Sequence, residues 1–418
     1  MNIYFSGIGG VGIGPLAEIA RDAGYSISGS DAEKSLMTDY LIAKGIKVHV
    51  GEQNGAYLKD QNEQTPIDWF VYTSATPQDN PELLLAKKLG IKTAKRDELI
   101  SYIINDKNLK LIAVAGTHGK TTTTGMLIWT FKQLGIPVSY SIGTTISFGP
   151  SGRYDPNSEY FVYECDEFDR NFLRFEPYLS LITSVDYDHP DTYPTVEEYK
   201  SAFLEFVEKS KSSVLWEVDA DYINSNHNTS WVLSDDEKMD LKIAGDHNRC
   251  NGTLVVKTIE KLGLDPNKKA NQYLESFPGT DRRFEKLSDN LYSDYGHHPV
   301  EIAATLQMAR EISDNVVLVY QPHQNIRQHE IKDEYTNQFE LAESIYWLPT
   351  YLSREDPNLQ VLTPEALIGN ITNRESIKIA KLDDDLWSAV QDAILDDKLV
   401  LCMGAGSIDG WLRSKLVS

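Results

Sequence analysis

Cysteine is nearly absent from this chain. Cys165, Cys250 and Cys402 are far apart and form no C-x-x-C pair. That excludes a disulfide framework and a cysteine zinc site, and it suits a reducing compartment, so a cytoplasmic location is expected. Long apolar runs are missing as well. No stretch reaches the ~20 apolar residues that a membrane span needs. The sequence opens at once on the strand-like Ile3-Tyr4-Phe5, without the basic flank and apolar run of a signal peptide, so neither a leader nor a membrane partner is expected. Basic charge is in deficit: Lys plus Arg is 40, Asp plus Glu is 62, and the formal charge is −22. A chain built to grip nucleic acid carries the opposite balance, so none is expected as a partner, and anionic ligands need local cationic pockets. There is no internal repeat and no low-complexity tract. What remains is 418 residues, 41% of them hydrophobic, enough for ordinary cores in roughly two to four domains.

The most informative stretch present is Leu111-Ile112-Ala113-Val114-Ala115-Gly116-Thr117-His118-Gly119-Lys120-Thr121-Thr122-Thr123-Thr124. Its first five residues are apolar, as in a buried parallel strand. It then turns through Gly116 and Gly119 and starts a helix whose pattern continues through Met126, Leu127, Phe131 and Leu134. Free backbone N–H groups at such a turn and at a helix N-terminus bind anions. Lys120 adds a positive charge for outer phosphates, and the Thr121 hydroxyl suits a phosphate-bound Mg²⁺. Val114 stands where the longer phosphate-loop spacing has glycine, so the match is to the shorter G-x-x-G-K-T form. A chance loop is the alternative, and the strand before and helix after argue against it.

Upstream, Gly7-Ile8-Gly9-Gly10-Val11-Gly12 is a literal G-x-G-x-x-G between a strand and a helix with Leu16, Ile19, Ala20 and Ala23 on one stripe. Ser26 to Asp31 returns as a strand ending in a carboxylate, at the spacing used to bind a ribose hydroxyl. Gly9, Gly10, Gly12 and Asp31 are therefore candidates for a diphosphate ligand. The motif leaves open NAD, FAD or a nucleotide sugar, and a tight turn that needs glycine only for packing. Ile46–Val50 and Trp69–Ser74 read as further strands, with Ser74 opening a loop at a carboxyl end, where ligands sit in such sheets. The polar Asn105-Asp106-Lys107-Asn108 marks a first domain boundary.

In the middle of the chain, Tyr160 to Glu164 is a strand running into the acidic Asp166, Glu167 and Asp169. Leu179–Val185 is another, leading to Asp188 and His189. Carboxylates and a histidine at strand ends beside a phosphate loop can reach Mg²⁺. Oxygen is the preferred donor, so Glu164 is the stronger ligand and His189 the less usual one, direct or through water. For Asp166, Glu167 and Asp169 the competing expectation is a solvated loop and helix cap. Asn248, ahead of an apolar helical run, offers its amide to an adenine edge or caps that helix.

Phe277–Phe284 is a second hinge, carrying Arg282 and Arg283, which suit a phosphate or a surface ion pair. Beyond it, Leu291–Pro299 reads as strand then loop, Asn315–Tyr320 as a strand and Lys398–Ile408 as a last strand and glycine turn, alternating with helical patterns, one of them Val300–Ile312, so this part is α/β too. His297 and His298 would point to opposite sides of an extended segment, and with His323 they give no zinc-ligand spacing.

Taken in this order, Gly7–Gly12, Gly29-Ser30-Asp31, Ala115–Thr124, Glu164-Cys165-Asp166-Glu167, Asp188-His189, His247-Asn248, Arg282-Arg283-Phe284, Asp294-Tyr295-Gly296-His297-His298-Pro299, Gln321-Pro322-His323 and Gly404-Ala405-Gly406 resemble the ATP-dependent Mur ligases nearly end to end, and within them the alanine-adding branch. The resemblance implies an α/β protein of three domains. These are a Rossmann-like UDP-sugar domain (1–106), a P-loop ATPase domain with a mainly parallel sheet (107–279) and a Rossmann-like amino-acid domain (280–418). It implies ligation of L-alanine to the carboxylate of UDP-N-acetylmuramate through an acyl phosphate, in peptidoglycan synthesis, by a monomer or homodimer. It implies ATP on Gly116, Thr117, His118, Gly119, Lys120, Thr121 and Thr122, with Asn248, Arg283 and Asp294 contributing. Mg²⁺ would lie at Thr121, Glu164 and His189, with Lys120, Glu164 and His189 as the catalytic set. The UDP-substrate would lie on Gly9, Gly10, Gly12, Asp31 and Ser74, and the amino acid near His297, His323 and Arg327. Two departures stand out. Gln324 occupies a place where the family has arginine, and the segment between His189 and Asn248 is short. Three other readings compete: a recycling ligase that adds a preformed peptide, an NAD(P)-binding oxidoreductase or nucleotide-binding sensor, and a catalytically weakened relative that only binds nucleotide, which Gln324 and the short middle segment alone support.

Overall fold

Three sheets follow one another along the chain in the computed structural model, which describes residues 1–73, 76–189, 192–225, 230–353 and 355–417. The first holds β1 (Asn2–Ser6), β2 (Ser26–Asp31), β3 (Lys47–Val50), β4 (Trp69–Tyr72) and β5 (Lys92–Lys95), all parallel, in the order β3-β2-β1-β4-β5. The order reverses between β1 and β4, the kind of point beyond whose carboxyl ends such sheets bind ligands. The glycine turn leaves β1 there. Along β1 the side chains alternate: Ile3 and Phe5 pack with Leu16, Ile19 and Ala20 on one face, and Tyr4 stacks on Phe70 on the other.

The second sheet holds β6 (Lys110–Ala115), β7 (Ser139–Ser141), β8 (Gly152–Arg153), β9 (Tyr160–Glu164), β10 (Leu179–Ile182), β11 (Ser213–Trp216) and β12 (Ser230–Leu233). Its order is β12-β11-β10-β6-β9-β7-β8, parallel except for β7 with β8. Because β6 is central, Leu111–Ala115 are buried throughout, which explains the unbroken apolar run. The helix Lys120–Gln133 follows it.

The third sheet holds β13 (Glu285–Ser288), β14 (Leu291–Asp294), β15 (Val316–Tyr320), β16 (Ser344–Trp347), β17 (Ile377–Ile379) and β18 (Leu399–Met403). Its order is β13-β14-β18-β15-β16-β17, with only β13 antiparallel. Asp294 and Tyr320 both pair with Met403, so three loops leave the same carboxyl edge side by side.

The chain divides into two compact units, Met1–Lys238 with Gly252–Phe277, and Met239–Asn251 with Pro278–Ser418. Two local expectations shift. The helix Arg96–Asp106 runs into the polar break at Asn105–Asn108, and Asn108 ends it with a positive φ of 51°. The helix expected over Val300–Ile312 spans Pro299–Arg310, starting at proline, whose fixed φ and missing N–H suit a first helical position. Among the described residues no helix is long and apolar enough to cross a membrane.

Candidate active site

The loop after β6 is pinned by the segment that follows β10. Thr117 N–H donates to the Ser184 carbonyl (2.9 Å), and His118 N–H to Ser184 Oγ (3.1 Å). Thr117 Oγ1 donates to the Asp186 carbonyl (2.7 Å), accepts from Asp186 N–H (2.9 Å) and meets the Tyr199 hydroxyl at 2.8 Å. Gly116 has φ +139°, and a Cβ there would stand 2.2 Å from Thr183 Oγ1. Only glycine lets the loop lie this close. The helix that starts at Lys120 leaves its first backbone N–H groups without intrahelical acceptors, facing the turn.

Lys120 is folded back into this turn. Its Nζ donates to the Gly116 carbonyl (2.6 Å) and to both Glu167 oxygens (2.8 and 2.9 Å). Burial works against the charge on Lys120, but Glu167, Asp166 and Glu164 outweigh it and its pKa lies above the ordinary lysine value. Burial pushes the Glu167 carboxyl up while the ammonium pulls it down, and the two-oxygen contact favours the ion pair. Glu167 is only 1% exposed, so the solvated-loop expectation fails for it. Asp166 does cap the next turn, accepting from Phe168 N–H (3.1 Å), and Asp169 pairs with Lys95 at 2.6 Å.

Glu164 ends β9 in register with Val114. Its Oε1 accepts from Thr121 Oγ1 (2.7 Å) and its Oε2 from Gly143 N–H (2.8 Å). A Cβ on Gly143 would lie 3.0 Å from Glu164 Oε1, so this glycine gives the carboxylate its room. His189 adopts φ +58°, an uncommon backbone for a side chain of its size, with its N–H on Asp188 Oδ1 (2.7 Å) and its Nε2 3.7 Å from Glu167 Oε1. Thr121, Glu164, Lys120, Glu167 and His189 thus form one linked group. A buried ammonium, a glycine turn and a hydroxyl–carboxylate pair fit a phosphate chain with a hard divalent cation.

At the first sheet, Asp31 Oδ2 accepts from Gly9 N–H (2.7 Å), and Gly10 N–H turns back to the Gly7 carbonyl (3.0 Å). The acid therefore braces the glycine turn. Ser74 lies outside the described residues.

The remaining residues belong to the second unit. The His297 ring packs edge-on to His323 (5.4 Å), which stacks flat on Tyr351 (5.8 Å, 8°). Burial, Arg327 and His323 hold the His297 pKa down to about 4 against the pull of Glu301. Asp294 accepts from Phe284 N–H and Gly296 N–H (both 2.7 Å), and burial raises it to about 6 although Arg283 pulls the other way. Asn248 sits inside the first turn of the helix Asp246–Lys261, its Nδ2 donating to the Ala244 carbonyl (3.0 Å).

Comparison with known proteins matches residues 2–108 to the "Mur ligase family, catalytic domain" and residues 114–260 to the "Mur ligase middle domain". A UDP-N-acetylmuramate–L-alanine ligase of Carboxydothermus hydrogenoformans is 30% identical over 97% of this chain and 94% of that protein. This chain belongs to the Mur ligase family. The fold agrees: the crystal structure of a UDP-N-acetylmuramate–alanine ligase from Thermotoga maritima superposes with a TM-score of 0.75 at 23% identity, covering 100% of this chain and 98% of that one. A murein peptide ligase from Psychrobacter arcticus gives 0.67 at 22% identity, with the same coverage. Membership of the Mur ligases weighs against the oxidoreductase alternative for the glycine turn. Sequence reasoning missed the Lys120–Glu167 pair. An acid three residues beyond a strand end carries no sequence signal of burial, and neither Gly143 nor Tyr199 stands in a motif.

Proposed function

We propose that this Mur ligase uses ATP to join L-alanine to the carboxylate of UDP-N-acetylmuramate, in peptidoglycan synthesis in the cytoplasm. The observation that carries this is the linked group Lys120–Glu167–His189 and Thr121–Glu164–Gly143, set in a chain that aligns nearly end to end with L-alanine ligases. In this proposal residues 1–106 take the UDP-sugar on Gly9, Gly10, Gly12 and Asp31, residues 107–279 take ATP, and residues 280–418 take the amino acid.

A carboxylate is a poor electrophile because its leaving group would be oxide. Transfer of the γ-phosphoryl group to the muramyl carboxylate gives an acyl phosphate, the α-amine of alanine attacks it, and phosphate leaves. The protein's part is alignment and charge neutralisation. Gly116, Thr117, His118, Gly119, Thr121 and Thr122 supply the cradle, and Lys120 exchanges Glu167 for phosphate oxygens. Thr121, Glu164 and His189 would hold Mg²⁺, which when bound neutralises charge on the phosphates. Asn248, Arg283 and Asp294 are proposed to complete the nucleotide site. Burial and nearby cations hold the His297 pKa down to about 4, so at pH 7 it offers the amino acid an uncharged ring and not a further cation. Arg327 and His323 offer contacts for the alanine carboxylate.

The test is phosphate release from ATP with UDP-N-acetylmuramate and single amino acids or a tripeptide. Release that needs both acceptor and L-alanine is expected. A preference for the tripeptide would replace this proposal with the recycling reaction.

A further inference from the structure

The helix Arg96–Asp106 begins with a cation that no motif in the chain explains. Arg96 lies against the glycine turn of the first sheet: a Cβ on Gly12 would stand 3.3 Å from Arg96 Nη1 and 3.8 Å from its Cδ. Its other two nitrogens, Nε and Nη2, face Asp97 Oδ1 at 3.4 Å. Asp97 is itself buried and accepts the Tyr163 hydroxyl. This anchors the guanidinium from behind and leaves Nη1 as its forward donor. Among the described residues, Nη1 has no hydrogen-bond acceptor, and neither do the backbone N–H groups of Val11 and Gly12. The neighbouring donors are engaged: Gly7 and Ile8 N–H on the Ser30 carbonyl, Gly9 N–H on Asp31 and Gly10 N–H on the Gly7 carbonyl. Two adjacent backbone donors without acceptors and one anchored guanidinium nitrogen therefore lie close together beyond the carboxyl end of β1, where the sheet order reverses. That set matches the oxygens of a diphosphate, for which a planar guanidinium is the favoured side chain.

We propose that Arg96 is a positioning residue for the nucleotide-sugar substrate, its Nη1 joining the Val11 and Gly12 N–H groups around the diphosphate oxygens. This deepens the proposed function and rests on its assignment of the UDP-sugar to the glycine turn. Lys95, the residue before it, pairs with Asp169 beyond β9, so the same corner ties the turn to the acidic loop that carries Glu167.

The experiment measures the affinity of UDP and of uridine by calorimetry for the wild-type chain, Arg96→Gln and Arg96→Lys. Uridine lacks the diphosphate, so it reports the integrity of the rest of the site. Loss of a charge-assisted contact predicts UDP binding about tenfold weaker or more in Arg96→Gln, with uridine unchanged. Arg96→Lys should fall between the two for UDP. In turnover, the KM for UDP-N-acetylmuramate rises in Arg96→Gln while the KM for ATP stays put. Unchanged UDP affinity, or an equal loss for UDP and uridine, overturns the proposal. Should Arg96→Gln fail to fold, the same comparison on Arg96→Lys decides: a UDP-selective loss supports it and an equal loss overturns it. A UDP-selective loss in Arg96→Gln, together with a wild-type chain that never ligates an amino acid, sinks the ligase proposal and leaves this one standing. A wild-type chain that binds no UDP sinks both.

Discussion

In the proposed reaction, Lys120 is the residue on which most of the chemistry turns. It is held by Glu167 and the Gly116 carbonyl, close to the place a phosphate would take. Lys120→Ala should abolish ligation while leaving UDP binding intact, since the glycine turn of the first sheet does not depend on it; turnover retained in that variant would contradict the ATP site. Gly143 gives a subtler check. A methyl group there would press on both Glu164 oxygens, at 3.0 and 3.1 Å. Gly143→Ala should therefore raise the Mg²⁺ concentration for half-maximal rate by about tenfold. At this scale the phosphate loop was legible because its residue types and spacing are the chemistry. Glu167 was not, because an acid after a strand looks alike whether it faces water or a buried ammonium. His297 and His323 could be named from sequence, but their ring contact, and the low pKa of His297, arise only when the loops after β14 and β15 leave one sheet edge together.

Among whole elements, long unbroken apolar strands were the most legible. β1, β6, β9, β15 and β18 are runs of apolar residues flanked on both faces, and each can be read directly. β5, Lys-Thr-Ala-Lys, and β17, Ile-Lys-Ile, are edge strands with half their surface in water, and their sequences look like loop. Polar residues hidden inside an element escaped in the same way. Glu82 stands near the start of the helix Pro81–Lys88, where an acid is ordinary, yet it is buried and accepts the hydroxyls of Tyr4, Ser6 and Ser30 at 2.7–2.8 Å. Asp219, in the helix Glu217–Tyr222, is a measurable case. Burial raises its pKa to about 6, only partly offset by the Val185 N–H that donates to it at 2.8 Å. The folded pKa lies above the free-chain value, so the folded state holds this proton more firmly. Its contribution is fully present below about pH 4 and is lost as pH rises through about 6. Compared with Asp219→Asn, the wild type should lose about 2 kcal/mol of relative stability between about pH 4 and pH 7.5, measured by urea unfolding. A difference that does not change with pH would contradict that account.

Across the whole molecule, what could be read early was the succession of three α/β parts, because each repeats strand, glycine turn and helix. The division into two compact units could not be read. The stretch 239–251 lies between residues of the first unit in sequence but packs with the second, and no composition change announces it. The formal charge of −22 means that, in the proposed function, phosphate-bearing substrates depend on local cations such as Lys120 and Arg96 within an acidic chain. The central claim is that the acid substrate is activated by phosphoryl transfer before the amine attacks. Ligation with UDP-N-acetylmuramate carrying ¹⁸O in its muramyl carboxylate tests it most directly. One ¹⁸O per turnover is predicted in the released phosphate; phosphate that leaves without label would contradict the account.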